Sequence, residues 1–239
     1  TTDLMAQVDF TADAGVGVDG ADRDSFAIPF LRVLQNISPQ VDEIEGARGG
    51  MLFNTVTLDL YTEATFLPCA FQRRYIRWAD RGTDGSYKGE YTPDEVNAMI
   101  ASGEASYVDG RLSIDGDRLA DTRNHFGLLV SEDGAVQQVI LSLSSTQVKK
   151  SKQLMSMLSA AKVKASDGRM VTPPTWMNRI KVSTIKESND KGSWFGVKFS
   201  QDGFIDDPDL YQLGKAFHET IAAGEAKAAY GTTETGEQF

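Results

Sequence analysis

Two stretches of this chain carry side chains of the kinds that hold single-stranded nucleic acid. "FQRRYIRW" (71–78) interleaves Arg73, Arg74 and Arg77 with Tyr75 and Trp78. "NRIKVSTIKESNDKGSWFGVKF" (178–199) sets Arg179, Lys181, Lys191 and Lys198 around Trp194. A third run, "TQVKKSK" (146–152), adds Lys149, Lys150 and Lys152. Cations follow phosphates and ring faces stack on bases, so Lys/Arg interleaved with aromatics on strands is the required pattern. After Gly192, Phe195, Val197 and Phe199 share one strand face, while Trp194, Lys198 and Ser200 share the other. An indole therefore stands on the face expected to meet water. A base stacked on Trp194 with Lys198 at a phosphate accounts for it. Burial under the helix expected at 145–163 is the competing account.

Signals for catalysis are thin. The chain has no phosphate-binding loop, dinucleotide-binding glycine turn, zinc-protease helix or Cys-x-x-Cys pair, and no nucleophile elbow. Its two histidines, His125 and His218, read as structural or surface residues. The acids Asp109, Asp115, Asp117 and Asp121 lack the spacing of a calcium loop and read as a solvated acidic segment. The single cysteine, Cys69, sits in the apolar run "FLPCAF" and reads as a buried, inert thiol. No enzyme activity, cofactor or metal is expected.

The net charge of −10 argues against nucleic acid only when taken as a total. Residues 142–200 hold eleven Lys/Arg against three Asp/Glu, a net of +8, which leaves −18 for the rest. Such asymmetry points to separated basic and acidic surfaces. Interleaving of the two in space is the alternative. No apolar run approaches a bilayer span and no leader pattern opens the chain. With one cysteine, a reducing, cytoplasmic setting is expected.

The elements that must position these residues can be read from periodicity. Residues 1–24 read as a mobile acidic arm. A short apolar stretch lies between Pro29 and Pro39, then a strand leaves the glycines at 49–50 and breaks near Asn54. The run 63–81 is strand-like but clean on neither face. Thr92-Pro93 opens a short helix that ends at Gly103, and a small hairpin turns at Asp109-Gly110. A second hairpin turns over Glu132–Gly134, the period then becomes helical from Ser145, and a third hairpin turns over Ser188–Gly192. A last helix starts at Pro208, with apolar positions Leu210, Leu213, Phe217 and Ile221.

Hairpins with one helix between two of them predict a β-rich α+β domain. The simplest architecture is a partly open barrel of the oligonucleotide-binding (OB) kind, with a capping helix and a C-terminal helix. The expected division is an arm at 1–24, one domain at 25–222 with an inserted flap at 82–121, and a polar tail at 223–239.

Three blocks carry a resemblance: "IPFLRVLQNISPQV", "LSSTQVKKSKQL" and "NDKGSWFGVKF". Ile28, Pro29, Leu31, Leu34, Gln35, Ser38 and Pro39 match the first, Leu143 to Gln147 with Lys149 and Ser151 the second, and Asn189 with Lys191 to Trp194 the third. In these the chain resembles a family of tailed-bacteriophage proteins from replication gene clusters, described as single-stranded DNA-binding or uncharacterised. The flap has no counterpart in that pattern. The resemblance implies a protein that coats single-stranded DNA during phage replication or recombination in an infected bacterium. The acidic C-terminal tail, with Glu234 and Glu237 before a terminal Phe239, is a weak signal for docking on replication or recombination proteins, against an unstructured end; a homo-oligomer is left open and no membrane is expected. The alternative is an acidic adaptor that modulates a host nucleic-acid enzyme.

Overall fold

The computed structural model describes residues 26–79, 86–190 and 192–230, with short stretches of the first 21. The arm expected over 1–24 falls almost wholly outside the described residues, as do Lys191 and residues 231–239. The elements in order are β1 (Leu31–Val33), α1 (Gln40–Glu43), β2 (Leu52–Asn54), β3 (Leu60–Tyr61), β4 (Glu63–Trp78), β5 (Tyr87–Tyr91) and α2 (Pro93–Ser102). There follow β6 (Ala105–Val108), β7 (Arg111–Ile114), β8 (Asp117–Val130), β9 (Val136–Ser144), α3 (Val148–Ala160), β10 (Val163–Lys164), β11 (Met170–Val171), β12 (Asn178–Asn189), β13 (Gly192–Phe204) and α4 (Pro208–Ala222).

The spine is the antiparallel pair of β4 and β8, in register from Thr65↔Val130 to Trp78↔Arg118. At one end the order is β13-β12-β4-β8-β9. At the other it is β5-β4-β8-β7-β6. The flap is thus stitched to the spine on both edges, and its last expected residues, 117–121, belong to β8 itself. The barrel is partly open, as expected. Its seam is spanned by β1, which meets β9 through the Phe30↔Ile140 bridge and the Ile140 N–H to Pro29 carbonyl bond of 2.9 Å.

One residue explains why 63–81 looked clean on neither face. The β4–β8 register skips between Pro68 and Ala70. Proline has no N–H to give a ladder, so it sits where a bulge breaks one. Before the slip Leu67 and Cys69 face one side and Phe66 the other. After it the parity is reversed, and Gln72, Arg74, Ile76 and Trp78 continue the Leu67 side. A one-residue shift exchanges faces.

Two large cores flank the spine, and a third, smaller one gathers Val96, Leu112, Ile114 and Leu119 at the flap. The inner one joins Phe66, Leu129, Leu141, Ile180, Val197 and Phe199 with Leu154 and Leu158 of α3. Ser151, fully buried, lets α3 approach the sheet and bonds to His125 Nε2 at 2.8 Å. The outer core joins Leu67, Cys69, Phe126, Leu128 and Ile140 with Phe217 and Ile221 of α4. Leu213, expected on that stripe, is 50% exposed. Gly214 takes its place because a Cβ there would come within 2.7 Å of Trp176, which packs against the helix.

The turn chemistry follows the sequence. Thr92 and Glu95 form a capping box, and Gly103 closes α2 with φ 80°. The expected hairpin turns contain Gly110 and Gly134 in left-handed backbone. Ser145, where the helical period begins, opens a 3₁₀ turn (Ser145–Gln147) that leads into α3, and has φ 52°. Past α4 the chain departs from the expected polar tail. Ala226, Ala228 and Tyr230 pack on the outer core.

Candidate nucleic-acid interface

The thirteen residues singled out in the sequence do not gather into one groove, and most of their charges are matched. On the flap side of β4, Arg73 holds Asp121 through Nε at 2.9 Å and through Nη2 at 2.9 Å, and its guanidinium lies 5.2 Å from the Tyr75 ring centroid. Arg77 holds Asp117 at 2.6 Å and Asp115 at 3.3 Å. Lys88 adds a bond to Asp117 at 3.1 Å. Burial pushes the Asp117 carboxyl up, but the Arg77 and Lys88 bonds outweigh it and leave it below the usual range. The acidic flap is therefore a set of counter-ions for β4. Among the described residues no three or more His, Cys, Asp or Glu gather as metal ligands.

Asp117 anchors the flap, and its side chain is 7% exposed. Asp117→Ala strands Arg77 and Lys88 without that partner. We expect a loss of about 2 kcal/mol, below what breaking a fully buried pair costs because both cations keep some water. Limited proteolysis should then cut the 86–116 region first. A cleavage pattern identical to wild type would remove the anchoring role.

A second group converges on Glu187 of β12. Its carboxylate accepts from Lys150 at 3.1 Å, Lys149 at 3.4 Å, Trp194 Nε1 at 3.2 Å and Gln147 Nε2 at 3.3 Å. Burial raises the Glu187 carboxyl, and the lysine and glutamine contacts more than reverse this. Trp194 is half-buried, with its indole N–H spent on Glu187. Its out-of-phase placement is thus explained by a tie between the hairpin and the start of α3. Lys152 and Lys198 remain exposed. On β12, Arg179 pairs with Asp202 at 3.3 Å and Lys181 with Glu63 at 2.8 Å. Lys191 lies outside the described residues. Carboxylates from elsewhere in the chain interleave with these cations, so around them the charges mix and the basic residues do not form a surface of their own.

The same neighbourhood shows what the three sequence blocks do. Gln35 accepts from the Phe195 N–H at 2.8 Å and donates to the Phe195 carbonyl at 2.9 Å. Gln147 accepts from the Val197 N–H at 3.0 Å. Two glutamine side chains thereby satisfy an edge strand that has no neighbouring strand to pair with there. They border a cleft of about 680 Å³ between β1, β9 and β13. The blocks meet, and the contacts seen there are structural.

The other face of the spine carries a cluster that the sequence did not reveal. Trp78, expected to be exposed, is 7% exposed. It meets Tyr87 edge-on at 6.0 Å and Tyr230 edge-on at 6.0 Å. Tyr230 stacks on Tyr87 at 5.7 Å with 20° between the rings, and lies 5.3 Å from Phe30. Its hydroxyl donates to Asn124 Oδ1 at 2.9 Å and sits 3.4 Å from Ser142 Oγ. Arg32 lies over Phe30 at 5.1 Å. By register, Arg74 opposite Thr122 and Arg118 opposite Trp78 share this face. Arg74 bonds to the Arg73 carbonyl at 3.0 Å and makes no ion pair among the described residues. Phe30, Tyr87 and Tyr230 come from three distant segments, so no local pattern announces them.

Among the described residues no helix is long and apolar enough to cross a membrane. No curated protein and no solved structure matches the chain. The family model for the Pam3 phage gp34-like protein matches residues 1–227, nearly the whole sequence. This is a phage family, as the resemblance implied, and its description names no activity. The chain therefore belongs to the Pam3 phage gp34-like proteins.

Proposed function

We propose that this phage protein binds single-stranded DNA on the part of the outer face of β4, β8 and β9 that α4 leaves uncovered, around Trp78, Asn124 and Ser142, and coats it during replication or recombination. The observation that carries the reading is the convergence of Phe30, Trp78 and Tyr87 with Asn124, Ser142 and the face-sharing Arg74 and Arg118. The strand order supports it. A three-strand meander (β4, β8, β9), the helix α3, and a hairpin (β12, β13) returning to the first strand is the succession of an OB barrel. OB domains take oligonucleotides on their second and third strands, between the loops after strands one and four. Here those strands are β8 and β9, and the loops are the flap and the connection from β12 to β13.

Rings stack on bases and arginines meet phosphates, giving salt-sensitive affinity that falls by about 0.7 log units per log unit of salt for each phosphate neutralised. The test is retardation of labelled oligo-dT at low and moderate salt. Arg74→Glu with Arg118→Glu is expected to lower affinity about tenfold or more and to flatten the salt dependence. Lys149→Glu with Lys152→Glu is expected to act weakly. Loss confined to the lysine pair would move the track to the α3 side and overturn this placement. No retardation, with Tyr230 present or removed, overturns the function.

One observation favours the second reading, an acidic adaptor acting on other proteins. Asp117, Asp121, Glu63, Glu187 and Asp202 neutralise most of the cations singled out in the sequence. Absence of any shift at low salt would transfer support to it.

A further inference from the structure

We propose that the pocket formed by Phe30, Trp78, Tyr87 and Asn124 is a nucleobase subsite, and that Tyr230 is its internal occupant, displaced when single-stranded DNA binds. This rests on the reading above and adds a regulated ligand position to it.

Tyr230 is held as a base would be. Its ring stacks on Tyr87, is flanked edge-on by Trp78, and tilts against Phe30. Its hydroxyl reaches the Asn124 amide. The fit is incomplete at one atom. Asn124 is 1% exposed, and its Nδ2 is buried with no hydrogen-bond partner, while its Oδ1 is taken by the tyrosine. A buried amide donor left unpaired is costly. A phenol offers one hydroxyl and cannot engage both ends of the amide well. A nucleobase edge carries an adjacent donor and acceptor and can engage both, as asparagine side chains do when they read bases.

The segment that delivers Tyr230 is built to leave. It follows α4 through Gly224, whose φ of 72° turns the chain back toward the sheet. Residues 227–230 form no helix or strand. Between Gly224 and Tyr230 the side chains of Glu225, Lys227 and Ala229 are exposed, and Ala226 and Ala228, which pack on the outer core, bury little apolar surface. Segments with few buried contacts open at low free energy. While the tyrosine is in place, the affinity for DNA is reduced by the fraction of molecules in which the pocket is open.

The test uses the full chain with oligo-dT as the probe. Tyr230→Ala is expected to bind about tenfold tighter, the scale of one base–aromatic stack, and Tyr230→Phe is expected to tighten binding less. In the Tyr230→Ala background, Asn124→Ala should weaken binding again. Equal affinity of wild type and Tyr230→Ala, with oligo-dT still retarded, overturns the subsite and leaves single-strand binding standing. Failure of both proteins to bind overturns the function itself. A mutation-free readout guards against a folding defect: hydrogen exchange of 225–230 in the wild-type chain should speed up at saturating oligo-dT. Protection that persists with DNA bound sinks the displacement.

Discussion

Gly127→Val is expected to abolish stable folding at ordinary temperature. Gly127 lies near the C-terminal end of β8, opposite Pro68. A Cβ there would run into the Phe66 ring and come within 2.5 Å of the Leu67 carbonyl oxygen. The ring belongs to the inner core and is fully buried, so it has nowhere to go. The carbonyl is backbone and cannot rotate away. Overpacking typically costs about 1–3 kcal/mol where side chains can yield. Here one obstacle is main chain, and a branched side chain multiplies the contacts, so the loss should exceed that range. Gly127→Ala should fold and lose about 2–3 kcal/mol. Phe66→Leu should recover only part of this, because the Leu67 oxygen stays where it is. Urea midpoints of the two single variants and the double variant provide the cycle. A Gly127→Val protein as stable as wild type would mean that β4 and β8 are less closely packed than described.

The second large effect is acid destabilisation centred on His125. Its imidazole is buried beside Phe71, at 5.1 Å between ring centroids, and shares a hydrogen bond with Ser151. Burial, with the charge of Arg123 behind it, pushes its pKa from 6.5 down to about 3. The folded chain therefore keeps His125 neutral where the unfolded chain protonates it. Stability is complete above about pH 6.5, falls at about 1.4 kcal/mol per pH unit below it, and levels only near the folded value. Between pH 6.5 and 4.5 the loss should be about 2.3 kcal/mol. Asp117 and Glu187, both held below their usual range, act with the same sign in a more acid window. Their stabilisation is present above the unfolded carboxylate pKa and disappears as pH falls through the folded one. His125→Gln should be less stable at pH 7 but flatter from 6.5 to 4.5, as measured by urea midpoints. Parallel slopes in the two proteins would remove His125 as the cause.

Both effects arise from the packing of α3 and β4 against β8, and much of that scaffold was legible in the sequence. Turn residues at 109–110, 132–134 and 188–192, together with the Thr92-Pro93 start, placed the hairpins and α2, because these signals are local. The number and order of strands then limited the fold to an open β-rich barrel. Cys69 read correctly as buried, and burial pushes its thiol up to about 12.

What the sequence could not contain is how distant segments meet. The bulge at Pro68–Ala70 depends on the β8 register and reverses the faces of β4, so the side on which Trp78 lies was hidden. Charge balance is likewise a three-dimensional property. Glu63, Asp121, Glu187 and Asp202 come from different strands, and only the folded sheet brings each beside its cation. Tyr230 lies in an alanine-rich tail with no pattern of its own. Residues more than 100 positions apart, Asn124 and Tyr230, become hydrogen-bonded partners at 2.9 Å because α4 packs on β4 and β8 and the segment after it returns to the same face. Periodicity and turn chemistry act within a few residues, and they determined the elements. Pairing register and long-range packing act between elements, and they decided which rings and charges share a surface.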